Sequence, residues 1–157
     1  MSALLRNLSV RLNRWCLRLA AVLTLAILAL IGIQVVARYG FSRPPQWTEE
    51  AARFCMVWAG LLGATVSFYQ GSDPVMMSLP FKPGGKSSHF LLWSRGVAIA
   101  LFIGPILYYS PGFLMRNMLR VSDSLHLNMA MVMAIVPLTA IIVGIHLAAR
   151  LSNLNKP

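Results

Sequence analysis

Apolar residues along this chain fall into four long blocks separated by short charged or proline-bearing stretches, a pattern that predicts four membrane-crossing helices. Uncharged runs cover residues 19–37, 54–72, 96–115 and 124–149, and the last should place residues 129–149 in hydrocarbon. A hydrocarbon layer of about 30 Å takes about 20 helical residues, so each run is long enough to cross once. In lipid the backbone must satisfy its own polar groups, which requires helices. The expectation is a single all-α membrane domain over residues 1–157, with spans near 19–37, 54–72, 96–115 and 129–149. The sequence carries no repeat and no low-complexity tract. The first apolar run exceeds the roughly 7–15 residues of a secretory signal core, so it is expected to remain as an anchor.

Ahead of the first span, Leu4, Leu8, Leu12, Trp15 and Leu19 recur at steps of three and four, aligned on one helical stripe. Arg11, Arg14 and Arg18 form a neighbouring stripe. Such an amphipathic segment can lie among lipid headgroups with its arginines on anionic lipid, or it can be the basic flank of the first span. Composition agrees with a membrane setting: 57% of residues are hydrophobic and only 11% charged. The net charge of +10 does not indicate nucleic acid, because the basic residues sit between apolar runs without base-stacking aromatics among them. With four spans, nine Lys and Arg fall on the side of the termini and five on the other, which predicts that both termini are cytoplasmic.

The first loop contains the densest polar chemistry. Arg43-Pro44-Pro45-Gln46 cannot be helical, since tandem prolines remove donors and keep the preceding residue extended. Thr48 is then expected as a helix N-cap, with Glu49 and Glu50 in the first turn, where the helix dipole favours acids. Glu49 and Arg53 are four apart and can pair, and Trp47 occupies the place of an interfacial aromatic. These residues either cap and anchor the second helix or form an exposed docking patch of Trp47, Glu49, Glu50 and Arg53. Along the same helix Ala59, Gly60, Gly63 and Ala64 form a small-residue face suited to close helix contact, inside the chain or with a partner. The loop from Gln70 to His89 is apolar and proline-rich, and is expected at the membrane interface. Pro105 and Pro111 should kink or end the third helix. Pro137 lies inside the fourth, where a neighbouring helix can satisfy the freed carbonyl.

Catalytic and metal chemistry finds no foothold. All four acids, Glu49, Glu50, Asp73 and Asp123, lie outside the uncharged runs, whereas ion-coupled carriers bind their driving ion at groups within the membrane. Cys16 and Cys55 are expected at opposite ends of a span, about 28 Å apart and beyond disulfide reach. His126 and His146 would lie about 30 Å apart along one helix, which leaves His89 with His146 as the one conceivable haem pair. No cofactor, metal or catalytic residue is therefore assigned, and the chain is not expected to be an enzyme.

Gln46-Trp47-Thr48-Glu49-Glu50-Ala51-Ala52-Arg53, followed by Trp58 and Leu62-Gly63-Ala64, resembles the hallmark of the small membrane subunit of tripartite ATP-independent periplasmic (TRAP) transporters. Ser122, Leu125, Leu127 and Val136-Pro137 are similar to that family's entry into a proline-containing fourth helix. The chain departs from the pattern at Tyr69-Gln70-Gly71-Ser72-Asp73-Pro74, where the family has a basic residue, glycine and histidine, and at Asn128, often proline there. The resemblance implies an accessory subunit in a bacterial inner membrane. Its implied partners are a large multispan subunit that carries sodium and an organic acid, and a periplasmic solute-binding protein that delivers the acid. The competing reading is a membrane anchor of a respiratory enzyme.

Overall fold

The computed structural model describes residues 2–41, 45–71 and 86–154. Five helices account for nearly all of them: α1 (Ser2–Phe41), α2 (Gln46–Gln70), α3 (Lys86–Asn117), α4 (Met129–Met133) and α5 (Ile135–Leu154). Four stretches are long and apolar enough to cross a membrane, the last being α4 and α5 together. The protein is thus the all-α, four-span molecule that the hydropathy pattern predicts.

The amphipathic N-terminal segment and the first span form one continuous helix. At 1.5 Å per residue the 40 residues of α1 reach about 60 Å, twice the hydrocarbon thickness. Ser9 and Cys16 are buried, with Ala20 and Leu23 packed on the core farther along, so this face of α1 turns to the bundle. The predicted leucine stripe points the other way, with Leu4 75% and Trp15 70% exposed. An exposed apolar stripe beside arginines is what a helix needs where it meets lipid.

α2 runs back antiparallel along α1 and stops at Gly71, whose φ of 68° provides the left-handed C-cap. The expected loop at 70–89 is shorter than predicted, because α3 already begins at Lys86; residues 72–85, with the atypical Ser72-Asp73-Pro74, lie outside the described residues. Neither Pro105 nor Pro111 ends α3, which continues to Asn117.

The fourth span breaks where sequence placed its proline. Pro137 has no N–H for the carbonyl of Met133, and the helix is interrupted at Ala134, between α4 and α5. A neighbouring helix does supply a donor there, one carbonyl earlier: Trp58 Nε1 of α2 donates to the Val132 carbonyl at 2.9 Å. Asn128 opens α4 by accepting from the Ala130 N–H at 2.9 Å.

α5 is the hub. It packs against α1, α2 and α3, while α3 leans on α4 and α5 rather than on α2. Leu62, Val66, Ile135, Ile142 and Cys16 form the buried core, with Trp58 against it. Because α2 and α3 straddle α5 without closing on each other, an apolar groove of about 610 Å³ opens between them, lined by Leu61, Ala64 and Thr65 on one side and Phe102 and Ile103 on the other.

Candidate functional site

The polar residues at the start of α2 divide into two groups with opposite roles. Pro45 is extended, with φ −70° and ψ 126°, and the helix begins immediately after it at Gln46. Thr48 is therefore not the N-cap that sequence suggested. It lies inside the first turn, fully buried, and its hydroxyl donates back to the Pro45 carbonyl at 2.6 Å. The rigid φ of Pro45 brings the chain into helical geometry three residues early, which leaves the Thr48 hydroxyl within reach of a carbonyl three residues back.

Trp47, Glu49 and Arg53 face outward. The expected pair forms, with Arg53 Nη2 donating to Glu49 Oε1 at 3.0 Å, and both side chains are largely exposed. Glu50 does not join this surface. One of its oxygens accepts from the Ser122 hydroxyl, and the other accepts from the backbone N–H of Ser124 at 2.9 Å and of Leu125 at 3.1 Å. The expectation that both acids belong to one exposed patch is thus only half met: Glu50 is partly buried and clasps the α3–α4 loop.

The loop it holds is itself ordered by backbone bonds. The Ser122 N–H donates to the Leu127 carbonyl at 2.9 Å and the Met129 N–H to the Arg120 carbonyl at 3.0 Å. Asn128 Nδ2 donates to the Met118 carbonyl at 3.0 Å. His126 turns the chain with a left-handed φ of 54°, so it belongs to this loop and not, as the spacing suggested, to the fourth helix. Glu50 precedes the uncharged stretch that starts at Phe54, and its carboxylate faces the loop. The Ser122 hydroxyl holds it below the usual carboxylate range, aided by the loop N–H groups against an opposing cost of desolvation. A depressed value in the folded state means that the clasp supports the fold at neutral pH and releases it as pH falls through that value.

Two long-range links now join the parts of the sequence that carried the resemblance. Glu50 ties the first motif to Ser122, Ser124 and Leu125, and Trp58 ties it to the helix break beside Pro137. The family model for the tripartite ATP-independent periplasmic transporters, DctQ component, matches residues 27–156. The chain belongs to this family. No curated protein and no solved structure matches it.

In this DctQ component the glycines of the small-residue face of α2 have no close neighbour among the described residues. A Cβ added at Gly60 or Gly63 would meet nothing within 4 Å, and Gly60 and Ala64 are exposed. The face is therefore not a close contact among the described helices. His146 is buried, with Nδ1 hydrogen-bonded to the Ser9 hydroxyl oxygen at 2.7 Å. Sequence reasoning missed both Ser9 and the role of Ser122. The signal for Ser122 was present in its place in the family-like segment; for Ser9 there was none, because its partner is 137 residues away.

Proposed function

We propose that this DctQ component is the scaffold subunit of a sodium-driven importer in a bacterial inner membrane. Both termini would be cytoplasmic, and an organic acid would arrive from a periplasmic solute-binding protein. Family membership over residues 27–156 carries the reading. Several features of the chain support it. Its four acids lie outside the uncharged runs, so the coupling ion and substrate would be bound by the large membrane subunit. Trp47, Glu49 and Arg53 stand exposed at the end opposite the termini, on a helix start that Glu50 braces against the α3–α4 loop. A braced, charged and aromatic surface suits docking of the binding protein or the large subunit. The small-residue face and the adjoining groove between α2 and α3 would receive a helix of the large subunit, since small side chains allow the close approach on which helix association in lipid depends.

Reconstitution into liposomes tests the scaffold role. With an inward sodium gradient and loaded binding protein, the chain alone is expected to give no uptake over empty vesicles, and uptake should appear when the large subunit is added. Uptake by the chain alone, across a panel of carboxylic acids, would overturn the reading. In the same system Gly63→Leu should leave the isolated chain as stable as wild type, since open space surrounds that position. It should weaken co-purification with the large subunit, by about 1–3 kcal/mol if the contact behaves as an overpacked one. Undiminished co-purification would leave that face to lipid.

Orientation has its own measurement. A reporter fused after Pro157 should be active only as a cytoplasmic fusion, and one placed within residues 43–46 only as a periplasmic one. The reverse pattern would invert the assignment.

A further inference from the structure

At the end of the bundle that carries the termini, α1, α2 and α5 line an open cavity of about 470 Å³. Its chemistry is cationic. Arg6 of α1 and Arg150 of α5 line it together with Ser9, Tyr69, Gly71 and His146. Among the described residues neither arginine forms an ion pair. His146 is the buried element: only 3% of it is exposed, Nδ1 is engaged by Ser9, and Nε2 is enclosed without a hydrogen-bond partner among the described residues. The Tyr69 ring lies against the imidazole, with centroids 5.2 Å apart.

An enclosed ring nitrogen without a partner is costly and calls for one. When the Ser9 hydroxyl donates to Nδ1, the proton of the neutral ring resides on Nε2, which becomes a donor awaiting an acceptor. The nearby charges determine which acceptor suits. Two guanidinium groups, joined in that tautomer by the Nε2–H, recognise a tetrahedral oxoanion, and arginine's planar fork fits phosphate in particular. Position narrows the choice further. The cavity lies where α2 ends at Gly71 and where Arg150 follows the last uncharged run, the depth of lipid headgroups rather than of hydrocarbon. Outside it, α1 presents exposed Leu4 and Leu8 to the surroundings. Arg150 also lies near the carbonyl end of α2, with Nη2 3.8 Å from a Cβ built on Gly71. Compensation of the helix dipole accounts for that one cation, but not for Arg6 or for the partnerless Nε2.

We infer that this cavity is a binding site for a phosphate group, occupied by the headgroup of an anionic phospholipid that ties α1, α2 and α5 together at their shared end.

The test is native mass spectrometry of the full-length chain in mild detergent, with phosphatidylglycerol, phosphatidylcholine or inorganic phosphate added. One phosphatidylglycerol should be retained in preference to phosphatidylcholine. Arg6→Gln and Arg150→Gln should each lower its retention by about fivefold or more, as expected for one arginine near a lipid surface. Both arginines are exposed, so these variants should fold normally. His146→Phe keeps a ring beside Tyr69 and removes the donor, and should also lower retention. Arg11→Gln and Arg14→Gln, on the exposed face of α1, should leave the single retained lipid in place. Displacement of the lipid by millimolar inorganic phosphate would assign the same pocket to a soluble phosphate and overturn the lipid as its occupant. Retention unchanged in Arg6→Gln and Arg150→Gln, or lowered equally by Arg11→Gln and Arg14→Gln, would overturn the site.

Discussion

Glu50→Lys is expected to cut solute uptake by the assembled transporter at least about tenfold, with the chain still present in the membrane. The carboxylate accepts three hydrogen bonds from the α3–α4 loop, at Ser122, Ser124 and Leu125. A lysine presents only donors there, so each of those groups loses its acceptor and meets a like-signed partner. The loop and the start of α2 would then move independently, and the surface formed by Trp47, Glu49 and Arg53 would lose its brace. Ser122→Ala removes one of the three donors and should give an intermediate loss. Arg53→Glu should reach a similar uptake defect by another route. It places a second acid beside Glu49 on the exposed surface, which changes chain stability by only about 0–1 kcal/mol but reverses the charge a partner meets. Uptake assays in cells, normalised to the amount of subunit in the membrane, separate the two routes from simple loss of protein. Wild-type uptake in both Glu50→Lys and Arg53→Glu would reduce this end of α2 to a helix start and a loop anchor, with no part in partner contact.

Trp58→Phe should destabilise the chain by about 1–3 kcal/mol, the usual cost of leaving an enclosed polar group without its partner. The indole N–H donates to the Val132 carbonyl in the turn before the helix break at Ala134. Phenylalanine fills most of the same space but brings no donor, so the carbonyl would stay unpaired in a region without bulk water. Trp58→Ala should cost more, about 3–5 kcal/mol, because packing against Leu62 and Ile135 in the core is lost as well. Thermal unfolding of the detergent-purified chain measures both. A Phe variant that melts with the wild type would mean that the Val132 carbonyl finds another donor, and that Trp58 acts through its bulk alone.

These two residues also show where sequence reasoning succeeded and where it stopped. Pro137 was legible as a defect in the last span, since its missing N–H is a property of one residue, and so was the need for a donor from elsewhere. That the donor is Trp58, and that it serves Val132, depends on how α2 and α5 pack. Glu49 and Arg53 were legible as a pair because four residues on a helix bring side chains together regardless of the fold. Glu50, next to Glu49 in sequence, points about a quarter-turn away, and only the placement of the α3–α4 loop gives it a different task. The helix cap expected at Thr48 lies three residues earlier, because cap position depends on where the backbone turns helical, and here Pro45 turns it sooner.

From the amino-acid sequence alone came the four spans, their helical nature and the small-residue face, because hydropathy and residue size act over a local window whatever the helices do next. The tertiary structure alone decided that α1 is one helix from Ser2 to Phe41, that α5 is the hub, and that the small-residue face meets none of the chain's own described helices. It alone joined Glu50 to Ser122 and Ser9 to His146, across 72 and 137 residues. Contacts of that range are set by the order in which apolar helices pack, and helices of nearly equal hydrophobicity leave that order unwritten in any local pattern.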